Sequence, residues 1–574
     1  MTDPSHRPSA RPEDLDPSEP AARVEQTFPH LTPEMVERLA VHGAEESLRD
    51  GAYLFRRGDR SPDFFVVVEG HVEILDEALA GEESVVFTHD ALGFTGELDL
   101  FNDRRILVSG RARGDVRVLR IPHASFRRML AAEPDVCEII VRAFILRRVG
   151  LIRYSQGAAL LIGSMANADT LRIERFLLRN GYPHRLIDLD SEEGRHFQPC
   201  FDLELAHLPV VVAHDHQVIE NPSNGALADA LGLTEPLDEE HVYEVVVVGA
   251  GPAGLAAAVY AASEGLDTLV VEGHAPGGQA GTSSKIENYL GFPTGISGQA
   301  LAGRAQVQAQ KFGARLAVSR HVSSLDCSGP TFRIRLDDER VAHARTVVVA
   351  TGARYRKLDL PNFDRFEGQG IEYAATAMEA QLCDGREVAV VGAGNSAGQA
   401  AIFLARHAVR VHMIVRGASL EASMSSYLVD RIRVSKRIVV RTETEITALD
   451  GDAWLRSVTW RSKSGDEETR PVSQLFVMIG AEPNTAWLAG CVELDEHGFV
   501  FTGRFEDEDR ELSPFATSQP GVYAVGDVRS GSVKRVASAV GEGSVVVHAI
   551  HRRLALLERR AAAARQYSAA ASST

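Results

Sequence analysis

One segment of this 574-residue chain limits its fold more than any other: EVVVVGAGPAGLAAAVYAASEGLDTLVVEG, residues 244–273. Valines lead directly into Gly249, Gly251 and Gly254, and an alanine-rich run follows. In such strand–turn–helix units the first glycine makes the tight turn, the second lets a pyrophosphate approach the backbone, and the third lets helix pack on strand. The next strand ends on Glu272, whose carboxylate can accept the ribose hydroxyls of an adenosine. The segment therefore predicts a dinucleotide site with phosphates at a helix N-terminus.

A second segment of this kind lies at residues 386–417. Gly392 and Gly394 follow an apolar strand, but Ala397 stands where the first unit has its third glycine. The second strand ends at Arg416, without an acid. An acid would bind a ribose 2′-hydroxyl and repel a 2′-phosphate, whereas an arginine attracts the phosphate. Two dinucleotide-binding domains are therefore predicted, and the second favours NADPH, with NADH as the alternative.

Charge and hydropathy exclude two other classes of protein. The formal net charge of −18 argues against general nucleic-acid binding, which needs a basic surface to neutralise phosphates. Residues 245–263 carry no charge and are long enough for a membrane span, but glycines and a proline interrupt them. A buried strand, a turn and a buried helix explain them better. We expect neither a nucleic-acid partner nor a membrane anchor.

Cysteine usage bears on the compartment. The chain has five cysteines and no Cys-x-x-Cys pair; they are Cys137, Cys200, Cys327, Cys383 and Cys491. Sparse, unpaired cysteines are typical of a reducing cytoplasm and provide no zinc or iron–sulfur framework. The N-terminus has no apolar signal-peptide segment. We expect a cytoplasmic protein without a metal centre.

The chain is too long for one core, and its pattern changes several times. Residues 1–25, rich in Pro, Ser and Arg, predict a disordered leader. Apolar alternation punctuated by glycines predicts a β-barrel or jelly roll up to about residue 125, followed by a helical stretch from Ser125 to Tyr154. Strands alternating with helices predict a small α/β domain in residues 155–235. The Ala/Arg-rich residues 557–574 predict a flexible tail, a fraying helix followed by a disordered end.

Further motifs carry a family resemblance. An apolar strand ends at Gly526-Asp527, where a carboxylate can bind a flavin ribityl hydroxyl, although a plain turn aspartate is the simpler interpretation of that motif alone. The motifs, in chain order, are GAGPAG, GGQ (277–279), ENY (287–289), ATGA (350–353), GAGNSA, IGAEPNT (479–485) and GD (526–527). Their combination resembles thioredoxin reductase over roughly residues 240–556. It implies an FAD domain formed by residues 242–360 and 488–556, with an NAD(P)H domain, residues 361–487, inserted between them.

Carried over by position, the resemblance implies two cofactor sites and a homodimer. The FAD site would comprise Gly249, Gly251, Pro252, Ala253, Gly254, Glu272, Gly278, Gln279, Asn288, Val322, Thr351, Gly352, Gly526, Asp527, Arg535, Val536 and Ala537. The nicotinamide nucleotide would contact Gly392, Gly394, Asn395, Ser396 and Arg416.

Two departures from the family pattern matter. Ala374 and Ala377 stand where the family has its redox-active cysteines, and alanine supplies no thiolate to attack a disulfide. Cys383 is the nearest thiol, and we interpret it as a small core or surface residue, not a nucleophile. Of the family's basic residues around the 2′-phosphate only Arg416 is present, and Glu421 takes another of their positions. This predicts weaker NADPH binding or relaxed specificity.

The α/β domain at residues 155–235 resembles a glutaredoxin-like thioredoxin fold. Leu208-Pro209-Val210 matches that fold's cis-proline segment, so Pro209 is the candidate for a cis peptide bond. The active-site dithiol would follow the first strand, where residues 164–169 read SMANAD, without cysteine. We expect a redox-silent docking or dimerisation module, with a rigid spacer as the alternative.

Residues 26–154 resemble a cyclic nucleotide-binding domain. Gly96-Glu97-Leu98 matches the start of the phosphate cassette, in which the family's Glu accepts the ribose 2′-hydroxyl and an Arg neutralises the cyclic phosphate. Arg104 or Arg105 is the available arginine, one or two residues closer to Glu97 than in the family. The resemblance implies a cyclic nucleotide effector. The alternative is an interaction domain that binds no nucleotide. Both arginines would then lie on a solvated loop.

The expected fold is therefore multidomain: a β-barrel (jelly-roll) with helices, a thioredoxin-like α/β domain, and two Rossmann-like FAD/NAD(P)-binding domains. NADPH would pass a hydride to FAD, and the electrons would leave for an external acceptor such as a quinone, ferredoxin, dioxygen or a partner's disulfide. No side-chain acid or base is needed, so we expect no catalytic residue. Two alternatives stay open: a disulfide reductase that borrows cysteines from a partner, and a regulatory flavoprotein without turnover.

Overall fold

The computed structural model describes residues 23–571, apart from 61, 78–82, 97, 103, 192–207, 214–216, 284, 287, 368, 374, 376 and 505–512. Most of the predicted leader, Glu97, Cys200 and Ala374 lie outside the described residues. Contacts divide the chain into unit 1, residues 1–237 with 307–319, and unit 2, residues 238–306 with 320–574. The division after Leu237 lies between the predicted domains that end at 235 and begin at 242.

Unit 1 begins with an antiparallel β domain. Its elements are α1 (Val24–Thr27), α2 (Pro33–Leu39), β1 (Ala44–Leu48), β2 (Tyr53–Phe55), β3 (Phe64–Glu77), β4 (Glu83–His89), β5 (Ser109–Ile121), α3 (His123–Ala132) and α4 (Pro134–Arg153). The strand order is β1-β5-β3-β4, with β2 on β5. The helical stretch predicted as one piece is two helices, because Pro134 cannot donate to the preceding turn and instead occupies the first turn of α4.

An α/β domain completes the N-terminal part of unit 1. Its elements are β6 (Ala159–Gly163), α5 (Ala168–Arg179), β7 (His184–Asp188), β8 (Val210–Val212), β9 (Val218–Glu220) and α6 (Asn224–Ala230). The strand order is β7-β6-β8-β9; β6 and β7 are parallel, and the other two pairs are antiparallel. The Leu208–Pro209 peptide is cis, as predicted. The fully buried β6 explains the apolar run ALLIG.

The next part of the chain contains the first glycine turn. Its elements are β10 (Val242–Val248), α7 (Pro252–Ser263), β11 (Thr268–Glu272), α8 (Gly298–Phe312), β12 (Arg315–Val318), β13 (Val322–Asp326), β14 (Phe332–Leu336) and β15 (Val341–Val349). Within unit 2, β10 lies between β11 and β15 and is parallel to both. This central position buries the four valines that precede Gly249.

The second glycine turn belongs to a separate sheet. The elements are β16 (Ala353–Tyr355), α9 (Phe363–Phe366), β17 (Ile371–Glu372), α10 (Ala377–Leu382), β18 (Glu387–Val391), α11 (Asn395–Leu404), β19 (Arg410–Ile414), α12 (Ser426–Val434), β20 (Ile438–Arg441), β21 (Thr444–Gly451), β22 (Leu455–Ser462), β23 (Glu467–Arg470), β24 (Val472–Val477) and β25 (Ala481–Pro483). The parallel sheet has the order β17-β24-β18-β19-β20. The chain enters this domain through β16 and leaves through β25, and these two strands pair.

The chain then returns to the first sheet of unit 2. Strand β26 (Val522–Ala524) pairs with β15, and the final helix is α13 (Val536–Ala571). Gly543 of α13 meets Ala253 of α7 so closely that a Cβ would overlap a backbone carbonyl. Helix α13 continues through the tail predicted from residue 557, which was expected to begin as a fraying helix, as far as Ala571. No helix among the described residues combines the length and apolar character needed to span a bilayer.

The cysteines depart from expectation. Cys327 and Cys491 form a disulfide, with Cα atoms 6.2 Å apart. The prediction of unpaired cysteines is therefore wrong for this pair, and it no longer supports a reducing compartment. Cys137 and Cys383 are buried free thiols. The described residues include no group of three or more His, Cys, Asp or Glu side chains arranged to hold a metal ion.

Candidate functional site

The first glycine turn has the geometry that its sequence predicts. Gly249 has a φ of +103°, and a Cβ there would run into the Ala350 carbonyl. A Cβ on Gly254 would overlap the carbonyl oxygen of Gly249, so the helix packs on the turn only without a side chain. Around Gly251 the space is open: the nearest atom to a Cβ would be the Gly278 Cα, at 4.0 Å. The turn therefore leaves room for a ligand at its second glycine.

The N-terminus of α7 faces that space without a side-chain cap. Gly251 is the N-cap residue and Pro252 occupies the first turn, so no hydroxyl or carboxylate takes the first backbone N–H groups. Free N–H groups and the helix dipole favour an anion at this position. Gly278 lies against the turn with a φ of +54°. The open cradle fits a pyrophosphate.

Glu272 is held at the end of β11 and is only 9% exposed. Its Oε2 accepts the Ala250 N–H at 2.7 Å, and its Oε1 accepts the His274 N–H at 2.9 Å. A carboxylate oxygen has a second acceptor site, so Glu272 retains capacity for ribose hydroxyls. Its carboxylate also fixes the backbone of the glycine turn, a role that the motif alone does not reveal.

Several other predicted FAD residues meet at the β16–β25 connection. Gln279 Nε2 donates to the Ala353 carbonyl at 2.5 Å. Thr351 Oγ1 donates to the Asn484 carbonyl at 2.8 Å, and Gly352 takes a φ of +61°. These bonds join the loops that carry Gln279 and Thr351 to the β16–β25 strand pair, through which the chain passes to the second sheet.

The C-terminal motif lies in the 3-10 helix Gly526–Val528, which precedes α13. Burial raises the pKa of the partly buried Asp527 above its ordinary value, with Glu542 adding to the rise and Lys534 opposing it. The Gly526 N–H donates to Glu542 Oε2 at 2.6 Å, and Glu542 pairs with Arg529 at 2.7 Å. Glu542, which holds the turn that carries Asp527, was not identified from the sequence.

The remaining predicted FAD residues have less support. Asn288, Arg535 and Ala537 are exposed, while Val322 and Val536 are partly buried. In the described part of the chain no side-chain hydrogen bond ties Asn288 or Arg535 to the glycine turn. The turn, Glu272 and the β16–β25 loops therefore form the defined part of the site.

The second glycine turn repeats the first with different contacts. Gly392 has a φ of +138°, and nothing lies within 4 Å of a Cβ on Gly394, the uncapped N-cap residue of α11. Asn395 Oδ1 accepts the Ser425 N–H at 2.7 Å. The loop after β19 is thereby tied to the glycine turn, and Ser396 stays exposed at the start of α11.

The end of β19 carries positive charge, as predicted. Arg416 is exposed directly after the strand. Glu421, at a position where the family has a basic residue, forms an ion pair with Arg433 of α12. Arg433 was not identified from the sequence, because no motif links it to the turn. Its guanidinium offsets the charge of Glu421.

The segment predicted to match the family's cysteine pair, residues 374–377, contains no thiol. Ala377 begins α10, and Ala375 is buried in the core of the second domain. Cys383 is 0% exposed and donates from Sγ to the Glu379 carbonyl at 3.1 Å. Burial, with Glu379 and Glu372 adding, raises the pKa of this thiol to about 12. Cys383 is therefore an inert core residue, as predicted.

The cassette of the β domain is more buried than expected. Gly96 takes a φ of +108°, and its carbonyl accepts Nη1 of Arg147 at 2.9 Å. Arg104 is only 8% exposed, so the solvated-loop interpretation is wrong for it. The Arg105 side chain lies along Gly232, where a Cβ would be 2.8 Å from Arg105 Cγ.

An ion pair that the sequence did not indicate anchors the cassette. Asp99 pairs with Arg148 of α4 at 2.7 Å, and their side chains are 3% and 11% exposed. The short 3-10 helix Leu98–Phe101 carries Asp99, and the side chain of Leu98 is outside the described set. The cassette is thus fastened to α4 by two consecutive arginines.

Comparison with known proteins agrees with this geometry. Residues 243–543 match the family model described as pyridine nucleotide-disulphide oxidoreductase, and residues 45–133 match the model described as cyclic nucleotide-binding domain. Thioredoxin reductase from Mycolicibacterium smegmatis is 36% identical over 309 residues, which are 53% of this chain and 93% of that protein. Thioredoxin reductase from Listeria innocua is 33% identical over 314 residues, 54% of this chain and 92% of that protein.

A solved structure gives the same answer for the fold. The crystal structure of Lactococcus lactis thioredoxin reductase aligns with a TM-score of 0.50 at 27% identity and covers 55% of this chain and 99% of that one. The first family model spans more than half of the 574 residues, and the N-terminal part contains the cyclic nucleotide-binding domain. This chain belongs to the pyridine nucleotide-disulphide oxidoreductase family, as an FAD-dependent NAD(P)H oxidoreductase related to thioredoxin reductase.

Proposed function

We propose that the chain takes a hydride from NADPH and passes the electrons through FAD to an acceptor outside itself, without a Cys-x-x-Cys pair. One contrast carries this proposal. Each glycine turn of unit 2 leads into a helix whose N-terminus has no side-chain cap. The strand after the first of these helices ends on the buried acid Glu272, whereas the strand after the second ends near the exposed Arg416. That contrast suits an unphosphorylated ribose at the first turn and a 2′-phosphate at the second.

At the proposed FAD site the protein's contribution is binding and orientation. Bound FAD supplies hydride acceptance and electron transfer. The N-terminus of α7 holds the pyrophosphate, and Glu272 accepts the adenosine ribose hydroxyls. Asp527 binds a ribityl hydroxyl, and its raised pKa reflects burial that such a bond would compensate. Thr351 and Gly352 shape the loop beside the flavin.

At the proposed NADPH site the helix N-terminus of α11 holds the pyrophosphate and Arg416 holds the 2′-phosphate. An exposed guanidinium can form two parallel hydrogen bonds to a phosphate. The Glu421–Arg433 pair supports this role, since a lone glutamate there would repel the phosphate. A site with one free arginine predicts preference for NADPH together with measurable use of NADH.

The acceptor is the open part of the proposal. The relatives are named thioredoxin reductases, which makes a thioredoxin-like disulfide one candidate besides a quinone, ferredoxin or dioxygen. Reduction of a disulfide needs an attacking thiolate, and Cys383 is too buried and too basic to supply one. The partner would have to bring its own thiol. Cys383→Ser should leave thioredoxin-dependent activity unchanged, whereas loss of that activity would favour a reductase that uses Cys383.

We propose that the α/β domain of residues 155–235 is a thioredoxin-like module without redox activity. The sheet order β7-β6-β8-β9 and the cis Leu208–Pro209 peptide support that fold. Helix α5 begins at Asn167, whose Oδ1 caps the Asp169 N–H at 2.8 Å, and the start of this helix holds no thiol. The module can dock a partner or a second chain; a homodimer, which the resemblance implies, is part of the proposal.

We propose further that a cyclic nucleotide at the cassette regulates the flavin through this module. Support comes from contacts inside unit 1. Arg105 of the cassette packs on Gly232, and the Leu107 backbone lies against Gly157. A phosphate that moved Arg105 would therefore disturb its packing with the α/β domain. Flavin reduction rates that stay unchanged at saturating cyclic AMP and cyclic GMP would remove the simplest form of this regulation.

Anaerobic stopped-flow reduction of the flavin absorbance by NADPH, beside NADH, tests the central proposal. Fast bleaching by NADPH and slower bleaching by NADH are expected. Absence of bleaching by either nucleotide in FAD-loaded protein would favour a regulatory flavoprotein without turnover. Light scattering at the same protein concentration would test the homodimer.

A further inference from the structure

The disulfide between Cys327 and Cys491 is a part of the molecule that the proposed function does not use. Cys327 follows β13, and Cys491 follows the 3-10 helix Ala486–Leu488. Both residues are partly exposed, whereas the free thiols Cys137 and Cys383 are buried. Of the cysteines that the structure describes, this bonded pair is the one that a small thiol in solution can reach.

The segment from residue 484 to 491 connects this disulfide to the proposed FAD site. At one end, the Asn484 carbonyl accepts Thr351 Oγ1 at 2.8 Å and the Asn484 N–H donates to the Gly352 carbonyl at 3.2 Å. In the middle, Leu488 is 0% exposed. At the other end, the Cys491 N–H donates to the Leu488 carbonyl at 2.9 Å. A short, hydrogen-bonded piece of backbone therefore runs from the loop to the disulfide.

The disulfide fixes the far end of that segment to the β13–β14 hairpin. Noncovalent contacts also hold this end: Leu488 and Val492 are buried, and the Glu493 N–H donates to Ser518 Oγ at 2.8 Å. Opening the bond therefore removes the one covalent tie at this end and loosens a segment whose other end positions Thr351 and Gly352. Exposed disulfides exchange with thiolates because the attacking sulfur can reach them, and buried ones do not.

We propose that the Cys327–Cys491 disulfide is a redox-sensitive bond, opened and re-formed by small thiols, whose state sets how firmly the Thr351–Gly352 loop is held for FAD. The second half of this proposal rests on the proposed FAD site. Such a bond makes the cofactor affinity of the chain depend on the surrounding thiol pool.

The exchange balances with glutathione as the reductant. One glutathione thiolate attacks a sulfur of the bond, which gives a mixed disulfide and one free protein thiolate. A second glutathione attacks the mixed disulfide and releases the other protein thiol as oxidised glutathione forms. Two electrons pass to the protein sulfurs, and two protons complete the thiols; oxidised glutathione reverses the sequence.

The first test counts thiols in native, FAD-loaded protein across mixtures of reduced and oxidised glutathione. After acid quenching and alkylation under denaturing conditions, mass spectrometry of the peptides reports each cysteine. Reversible gain of alkylation at Cys327 and Cys491, absent at the buried Cys137 and Cys383, is expected. A bond that opens only after denaturation would be a structural disulfide and would overturn the proposal.

The second test measures FAD affinity by titrating apoprotein in three states: oxidised, reduced, and the double variant Cys327→Ser/Cys491→Ser. The reduced and double-variant proteins should share a Kd about fivefold above that of the oxidised protein, at the low end of typical couplings between sites. Ser328→Ala, in the same hairpin but outside the bond, is the matched control and should keep the oxidised value. Equal affinities in all states would overturn the second half. A wild type that binds no FAD would overturn the proposed function, while the thiol count would still decide the first half.

Discussion

The two glycine turns of unit 2 are built from the same pieces and differ in what surrounds them. Each joins a buried strand to an uncapped helix N-terminus through a glycine with positive φ, Gly249 in one and Gly392 in the other. The first has Gly254 at its third position and the buried Glu272 after its second strand. The second has Ala397 and the exposed Arg416 at the matching places.

Under the proposed function, the fold supplies the anion site and the end of the second strand selects the nucleotide. The helix N-terminus would bind a pyrophosphate in both cases, because its free N–H groups do not distinguish one dinucleotide from another. Glu272 and Arg416 would make the distinction through a ribose hydroxyl or a phosphate. The residue at the third position, Gly254 or Ala397, sets how closely the helix packs on the turn. It therefore also sets how far a larger side chain at that position would destabilise the fold.

The largest effect is expected at the third position of the first turn. In Gly254→Ala the new Cβ would overlap the Gly249 carbonyl, and the helix would have to move away from the turn. We expect purified protein almost free of FAD and a loss of about 1–3 kcal/mol in the free energy of unfolding, typical of overpacking. The ratio of flavin to protein absorbance and urea unfolding measure both quantities.

Ala397→Gly in the second turn is the matched control. Ala397 is buried without such an overlap, so removing its Cβ should cost only about 1 kcal/mol of helix propensity and leave FAD content unchanged. If Gly254→Ala retained full flavin content, the two third positions would be equivalent and the contrast drawn here would be wrong.

The next effect is expected at Glu272. In Glu272→Gln one carboxylate oxygen becomes an NH2 group, which faces the N–H of Ala250 or His274 and leaves that donor unpaired. The cost of such a donor, about 1–3 kcal/mol, predicts FAD affinity about 5- to 150-fold lower. Titration of apoprotein with FAD measures it. Glu421→Gln, an exposed acid in the second domain, should leave FAD affinity unchanged; an equal loss there would show a general charge effect.

The features predicted correctly from sequence are those that local geometry demands. A tight turn with positive φ after a run of valines requires glycine, so Gly249 and Gly392 mark the strand–turn–helix units by themselves. Pro209 was identified as a cis site from the resemblance of Leu208-Pro209-Val210 to the cis-proline segment of the thioredoxin fold. Arg416 follows directly from where the second strand must end.

The features missed from sequence depend on partners that the fold alone brings together. Cys327 and Cys491 are separated by 164 residues, and no spacing rule connects them. Asp99 pairs with Arg148 on α4. From the sequence alone, each of these residues is more simply interpreted as a surface charge.

A smaller effect is expected at Arg416. Arg416→Gln removes the charge that faces the 2′-phosphate, so KM for NADPH should rise about tenfold, as loss of a charge-assisted hydrogen bond of ~1.5 kcal/mol predicts. KM for NADH should stay unchanged, because NADH has no 2′-phosphate. Steady-state rates with an artificial electron acceptor measure both constants. Equal changes for the two nucleotides would mean that Arg416 supports the fold and not the phosphate.

The smallest expected effect is on how the stability of the second domain depends on pH. It arises because the interiors of strands β11 and β19 differ. β11 is wholly apolar except at its ends, whereas β19 buries His412. Burial lowers the pKa of His412 below its ordinary value of 6.5, despite its bond to Glu387. As pH falls through the ordinary value of 6.5, His412 takes up a proton in the unfolded chain before it does so in the folded one. The folded state therefore loses stability on acidification.

We accordingly expect the NAD(P)H domain of the wild type to unfold at lower urea at pH 5.5 than at pH 7.5, by a margin that shrinks in His412→Leu. Fluorescence of Trp460 reports this domain, since its ring lies 5.1 Å from His412. Exposed His497→Gln is the control and should keep the wild-type dependence. A His412→Leu protein with unchanged pH dependence would assign the acid sensitivity to other groups, and the interiors of the two strands would then be equivalent in their response to pH.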